Sequence, residues 1–168
     1  MDSIDPPQLR DLVDAHGAAL VLYARQWCSS PDDALQEALI DLSQLASPPR
    51  DPVGWLFKAV RYKAINQARA DQRRSRHWRK AAVERDRWFD RDPTTTMQTE
   101  ELESLLTELE PLAREIVIAR IWGEMSFEQI AELVEYPLST VHRRYHQTLK
   151  FLEQKLYGQI SRAKSEQT

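Results

Sequence analysis

The sequence predicts an all-α protein of two small helical domains, an N-terminal helical bundle and a C-terminal helix-turn-helix, joined by a flexible linker. Three observations carry that prediction. Glycine is scarce, with 4 in 168 residues, while Leu, Ala, Arg, Gln and Glu, all good helix formers, are plentiful. No alternating β-branched run of any length occurs, whereas apolar residues recur at three- and four-residue spacing. Polar and proline-rich breaks divide these blocks, in a chain long enough for one medium domain or two small ones. The boundaries follow: an N-terminal domain over 7–80, a linker over 81–99, a C-terminal domain over 100–157 and a polar tail over 158–168 that is expected to fray.

Charge and cysteine content bound the function. The formal net charge is -3, from 23 basic and 26 acidic residues, an average that conceals local patches. The single cysteine, Cys28, rules out a disulfide framework or a thiolate zinc site within the chain and reads as a small buried hydrophobe. Neither a signal peptide nor a long apolar segment is present, so a soluble, cytoplasmic protein with no membrane insertion is expected.

Pro6 and Pro7 precede a first helix whose inner face is Leu9, Leu12, Val13, His16, Leu20, Tyr23 or Ala24, and Trp27. His16 lies on or near that face with no second ligand spaced to help it, so it reads as a satisfied structural histidine. Ser29-Ser30-Pro31-Asp32-Asp33 then restarts the chain. Ser30 is a candidate cap, Pro31 suits the first helical position, and the acids complement the helix dipole. The second helix turns Leu35, Ala38, Leu39 and Leu42 inward and leaves Asp33, Gln36, Glu37 and Asp41 around its other side. Those four are either a solvated face or a docking surface for a basic partner, and composition does not separate the two.

Three prolines in the six residues Ser47–Pro52 make a stiff connector. The third helix, over Gly54–Arg69, can bury Leu56, Ala59, Val60 and Ala64. Lys58, Arg61, Tyr62, Lys63, Asn66, Arg69, Arg73 and Arg74 supply cations, amides and an aromatic ring elsewhere on its surface. The basic run continues through Arg76, His77, Trp78, Arg79 and Lys80. Cations interleaved with stackable rings are what melted nucleic acid requires, since phosphates meet the charges and unstacked bases meet the π-faces. Trp55 reads equally well as a core aromatic.

Ala81 to Thr99 is poor in apolar residues and carries Glu84, Asp86, Asp90 and Asp92, as a tether would, with Trp88-Phe89 as an internal anchor. Leu102, Leu105, Leu106 and Leu109 restart a helix. Ile116, Val117, Ile121 and Trp122 make the next, with Gly123 as its stop. Ser126 and Gln129 have capping-box spacing, and Phe127, Ile130, Ala131 and Val134 form the apolar stripe of a short helix. Glu135-Tyr136-Pro137 breaks it, because proline disfavours helix at the residue before it. A last helix begins near Leu138 and buries Leu138, Val141, Tyr145, Thr148 or Leu149, and Leu152. Its other side carries Thr140, His142, Arg143, Arg144, His146, Gln147 and Lys150. A helix, a tight turn and a helix with a basic, amide-bearing face make a helix-turn-helix; the bland alternative is a two-helix hairpin with a solvated charged side.

Asp33-Ala34-Leu35-Gln36-Glu37, then Pro52-x-x-Trp55-Leu56-x-x-Ala59-x-x-Tyr62-x-Ala64-x-Asn66, then the helix-turn-helix together resemble a bacterial sigma factor of the small, two-domain extracytoplasmic-function (ECF) type. Leu109-Glu110-Pro111-Leu112-Ala113-Arg114-Glu115-Ile116 resembles the segment that opens that family's C-terminal domain. The resemblance spans roughly Leu9 to Leu156. It implies an RNA polymerase subunit for promoter-specific initiation, with no cofactor and no catalytic group. Asp33, Gln36, Glu37 and Asp41 would dock on the clamp helices of the polymerase β′ subunit, and the β flap would be a second polymerase contact. Arg50, Lys58, Arg61, Tyr62, Asn66 and Arg69 would hold the melted strand of the minus-ten promoter element, the proline connector shaping a pocket for a flipped base. Thr140, His142, Arg143 and Gln147 would meet or approach base edges of the minus-thirty-five element, with Arg144, His146 and Lys150 on phosphate. The linker would thread the polymerase cleft, and an anti-sigma factor is a common partner in the family. This chain departs from the pattern at Tyr62 and Asn66, where Asn and Asp are usual, and at Glu135 and Pro137, where the family's turn often has Gly and Ser.

Two rival classes remain. A stand-alone helix-turn-helix transcriptional regulator would share the C-terminal motif but needs a dimerisation or effector surface, which the basic aromatic third helix fits poorly. A zinc enzyme could use His142 and His146 at i, i+4, yet Arg143 stands where the glutamate of the metalloprotease motif would be and its charge opposes metal binding.

Overall fold

Seven α-helices and no strand make up the described residues, 4–78 and 97–165, of the computed structural model. They are α1 (Pro6–Ala24), α2 (Pro31–Ser43), α3 (Pro52–Trp78), α4 (Met97–Thr107), α5 (Pro111–Ile121), α6 (Phe127–Val134) and α7 (Leu138–Ser165). Helices α1, α2, α3 and α5 each begin on a proline, whose missing N–H would have had no partner in the first turn anyway. Asp5 and Gln8 close a capping box on α1, and Ser126 and Gln129 close the expected one on α6, at 2.8 and 3.1 Å. Asp51 starts α3 by accepting from the Gly54 amide at 2.9 Å.

Ser30 occupies the cap position of α2 without giving a side-chain bond to it. The Gln67 carboxamide of α3, turned with its oxygen towards Ala34 N (3.3 Å) and its nitrogen towards Ser30 O (3.2 Å), serves that end instead. The C-terminus of α4 is closed from a distance in sequence. Arg114, buried to 8 % exposure, donates to the carbonyls of Leu106 (2.8 Å), Thr107 (3.1 Å) and Leu109 (3.0 Å).

Helices α1, α2 and α3 pack on one another through Leu20, Tyr23, Ala38, Leu42, Leu56 and Val60; α5, α6 and α7 do so through Ile116, Val117, Ile130, Val134 and Val141. The two groups meet where α1 touches α5 and α3 touches α6, and their buried residues form one continuous cluster. The two neighbourhoods central to the sequence reading stay distinct: Trp55 is half-buried against that cluster and Arg143 is exposed.

Several sequence expectations change. Helix α3 runs on to Trp78, past the expected end at Arg69. The polar segment after Leu156 continues α7 as far as Ser165, leaving Tyr157 and Ile160 exposed on it, rather than fraying from Gly158. Leu138, expected to be buried, is 39 % exposed at the start of α7. Gly123 does not supply the left-handed residue after α5; Glu124 does, at φ 52°. Gly123 is required for another reason, since a Cβ there would lie 2.7 Å from the Phe57 ring and 2.6 Å from the Ala119 carbonyl. Among the described residues the enclosed Nδ1 of His16 has no hydrogen-bond partner, where a satisfied histidine was expected. Arg79, Lys80 and the linker acids with Trp88-Phe89 lie outside the described residues.

Candidate nucleic-acid interface

The break between α6 and α7 determines how α7 presents itself. Glu135 adopts φ 58°, ψ 40°, a left-handed conformation that costs a non-glycine residue about 1–2 kcal/mol. Its neighbours hold it there: Tyr136 N donates to Ala131 O at 3.2 Å, and Pro137 O receives Thr140 N and Val141 N at 2.9 and 3.1 Å to begin α7.

Val141, Tyr145, Thr148 and Leu152 of α7 then face the core. At 3.6 residues per turn, Thr140, Arg143, His146, Gln147 and Lys150 fall within an arc of about 120° on the opposite side. Arg143, His146, Gln147 and Lys150 are exposed and Thr140 is half-buried. His142 and Arg144 sit at the margins of this arc, and both are drawn to protein partners. The His142 ring lies 4.0 Å from Phe127, which also receives Tyr145 at 5.2 Å and the Arg120 guanidinium at 4.5 Å. Arg144 forms an ion pair with Glu110, the residue before α5. His142 and His146 lie 6.0 Å apart, and among the described residues no third ligand-type side chain joins them.

Helix α3 divides into three faces. Lys63 and Gln67 face α2, where Lys63 pairs with Asp41 at 2.7 Å and Glu37 at 3.8 Å. The bond to Asp41 raises the Lys63 pKa. Phe57 and Arg61 turn towards α5 and the loop after it. The third face, opposite the core, is a stripe of Lys58, Tyr62, Asn66, Arg69 and Arg73. Tyr62 is 65 % exposed, Lys58, Arg69 and Arg73 are exposed, and Asn66 is half-buried. Arg50 is exposed on the connector just before α3. Five of the six residues expected to hold a melted strand are therefore on or beside one accessible surface, and Arg61 is at its edge.

The acidic face of α2 borders a cavity of about 500 Å³ lined by Ser30, Asp33, Gln36, Glu37, Ile40, Gln67, Asp71 and Arg74. Asp33, Gln36 and Glu37 are exposed around it, whereas Asp41 is engaged by Lys63. Ile40, 48 % exposed in the same wall, was missed by sequence reasoning. Its signal was present: an isoleucine standing off the inward stripe of Leu35, Ala38, Leu39 and Leu42.

Sequence reasoning also missed the junction between the two helical groups. Glu115, 7 % exposed, accepts from the Tyr23 hydroxyl at 2.9 Å and from Arg61 Nε at 3.0 Å. Burial first, and the Glu115 charge second, push the Tyr23 pKa well above the usual phenol range. The Arg61 guanidinium also lies over the Trp27 ring at 5.5 Å. Around this centre, Gln129 Nε2 donates to Asp51 Oδ2 at 2.7 Å, Arg25 meets Glu103 at 3.2 Å and Lys58 approaches Glu132 at 3.7 Å.

Comparison with known proteins agrees with this layout. Residues 99–152, from within α4 to the middle of α7, match the family model described as Sigma-70, region 4. Among solved structures, CnrH in complex with the cytosolic domain of CnrY is similar at 21% identity, over 92% of this chain and 90% of that one, with a TM-score of 0.60. The sigma factor RpoE in complex with the anti-sigma factor NepR from Bartonella quintana is similar at 17% identity, over 88% and 95%, with a TM-score of 0.62. No curated protein sequence matches. The structural likenesses concern the fold of nearly the whole chain; the region 4 match concerns residues 99–152. Together they give a Sigma-70 region 4 segment set in a fold that nearly the whole chain shares with those two structures.

Proposed function

We propose that this chain is a sigma factor of the ECF type that divides promoter recognition between its two helical groups, with domains over 7–80 and 100–157. Helix α7 enters the major groove of the upstream promoter element. Arg143 and Gln147 read base edges there, Thr140 and His142 lie near them, and Arg144, His146 and Lys150 lie towards phosphate. Helix α3 captures the melted strand of the downstream element, with Tyr62 stacking on a base and Arg50, Lys58, Asn66, Arg69 and the released Arg61 on phosphates and neighbouring bases. The α2 face of Asp33, Gln36 and Glu37, with Asp41 behind them, docks on the β′ clamp helices of RNA polymerase, and the C-terminal domain meets the β flap. The polymerase supplies the chemistry, so the chain needs neither a catalytic group nor a cofactor.

One observation carries this reading. The region 4 match ends on α7, whose solvent face offers a fork-shaped cation and a carboxamide, the two groups that pair bidentately with guanine and adenine edges. No helix among the described residues is long and apolar enough to cross a membrane, in keeping with work in the cytoplasm. Both solved relatives are held by a second protein, and an inhibitory partner of that kind is proposed here too.

Reconstitution tests the proposal. The chain should co-purify with core polymerase and support run-off transcription from promoter DNA that core alone does not use. A chain that ignores core polymerase and shifts duplex DNA unaided would instead be a stand-alone regulator.

A further inference from the structure

Helix α6 begins at a fixed point. The Ser126–Gln129 box closes its first turn, Gln129 is tied to Asp51, and Met125 just before the cap is fully buried. Phe127, the first residue of α6, therefore has a set backbone, and its ring lies among side chains of α5 and α7. Arg120 of α5 stands over that ring at 4.5 Å, its own guanidinium held by the Met125 carbonyl at 2.7 Å. Tyr145 of α7 meets it edge-on at 5.2 Å.

The rings continue outward along α7. His142 lies 4.0 Å from Phe127 with 33° between the planes, and His146 lies 6.0 Å from His142 with 26° between them. Tyr145 closes on His146 edge-on at 5.5 Å. The column starts against the core at Phe127 and ends in solvent at His146, on the face that carries Arg143 and Gln147. Ring pairs at these separations attract one another and favour particular mutual orientations. A recognition side chain works best when packing has already locked its rotamer, because binding then has less freedom to remove.

We propose that Phe127 is a positioning residue for the upstream promoter element. Its ring fixes the His142 imidazole, and His142 in turn orients His146, so a residue of α6 sets how α7 presents its reading face. Arg120 and the capping box hold Phe127 in place for that purpose. This rests on the reading of α7 as the major-groove helix.

The test uses the full-length chain bound to core polymerase and a duplex library randomised across the upstream element, and it reads the preference at each base pair. His142→Ala should flatten selection at one or two adjacent pairs. Phe127→Leu should weaken selection at the same pairs by about 2- to 10-fold, the range for one side chain that binding must newly immobilise, and the two changes combined should exceed His142→Ala by little. Phe127→Tyr, which keeps a ring there, should restore the wild-type preference. Val134→Ala, about two turns along α6 and also buried, controls for lost packing and should change all positions alike. Should Phe127→Leu fail to fold, Phe127→Met takes its place. A Phe127 variant that acts uniformly, as Val134→Ala does, or that alters no position His142→Ala alters, overturns the positioning role while leaving the α7 reading intact. So does a His142→Ala profile identical to wild type. A wild-type complex that selects no base pair in the element would overturn the reading of α7 and this inference with it.

Discussion

Helices α3 and α7 carry similar stripes of cations, amides and rings opposite a buried face, yet they stand differently in the free molecule. Arg143, Gln147 and Lys150 of α7 face solvent, while His142, Arg144 and His146 have partners within their own helical group. On α3, the stripe's edge is taken up by Glu115 and Glu132 from the other helical group, and the neighbouring face by Asp41 and Glu37 of α2. The difference teaches that a basic helix is not by itself an available one. What decides is whether the fold brings carboxylates to its margin.

The sharpest way to break the comparison is at Glu115. Alanine there leaves the Tyr23 hydroxyl and Arg61 without their shared acceptor, and removing one member of a buried pair costs about 3–5 kcal/mol. Arg61 is 34 % exposed, so water recovers part of that and about 2–3 kcal/mol is expected in denaturant unfolding. A loss no greater than that of Glu128→Ala would mean the cluster contributes nothing to the packing. On the other stripe, Arg143→Ala should weaken binding to the cognate promoter by about 1–3 kcal/mol while costing less on scrambled duplex. Equal losses on both would move Arg143 from base edge to phosphate.

Tyr23 gives the junction a pH dependence. The unfolded chain releases a phenol proton near pH 10, whereas the folded chain holds it to higher pH because burial and the Glu115 charge oppose ionisation. Above pH 10 the folded state therefore binds more protons, and stability falls as pH rises, by up to about 1.4 kcal/mol per unit. Tyr23→Phe should flatten that decline in thermal melts, and an unchanged slope would contradict the burial of a protonated Tyr23. The smallest effect expected is at the turn. Glu135→Gly should stabilise the chain by about 1 kcal/mol or less, the relieved left-handed strain being offset in part by glycine's greater unfolded freedom. A loss of stability would show that the Glu135 side chain contributes a contact of its own.

Local signals in the sequence carried most of the fold. Prolines at helix starts, the Ser126–Gln129 box and the break at Pro137 are short-range chemistry, read within a few residues. The face of α7 was likewise legible, because Val141, Tyr145, Thr148 and Leu152 fix its rotation and thereby the residues opposite. The junction was not. Tyr23 and Glu115 are separated by 92 positions, and nothing in the neighbourhood of Arg61 distinguishes a cation meant for a carboxylate from one meant for a phosphate. Gly123 was read as a helix stop because that is glycine's commonest duty, whereas the ring of Phe57 is what excludes a side chain there. The extension of α7 to Ser165 was missed because a polar sequence without proline can continue a helix as readily as fray.

The most direct measurement is transcription from a randomised promoter library by core polymerase with and without this chain. The account predicts that adding the chain enriches templates bearing two separated elements upstream of the start site, and that Arg143→Ala relaxes selection at the upstream one alone. Enrichment identical to that of core polymerase by itself would contradict it.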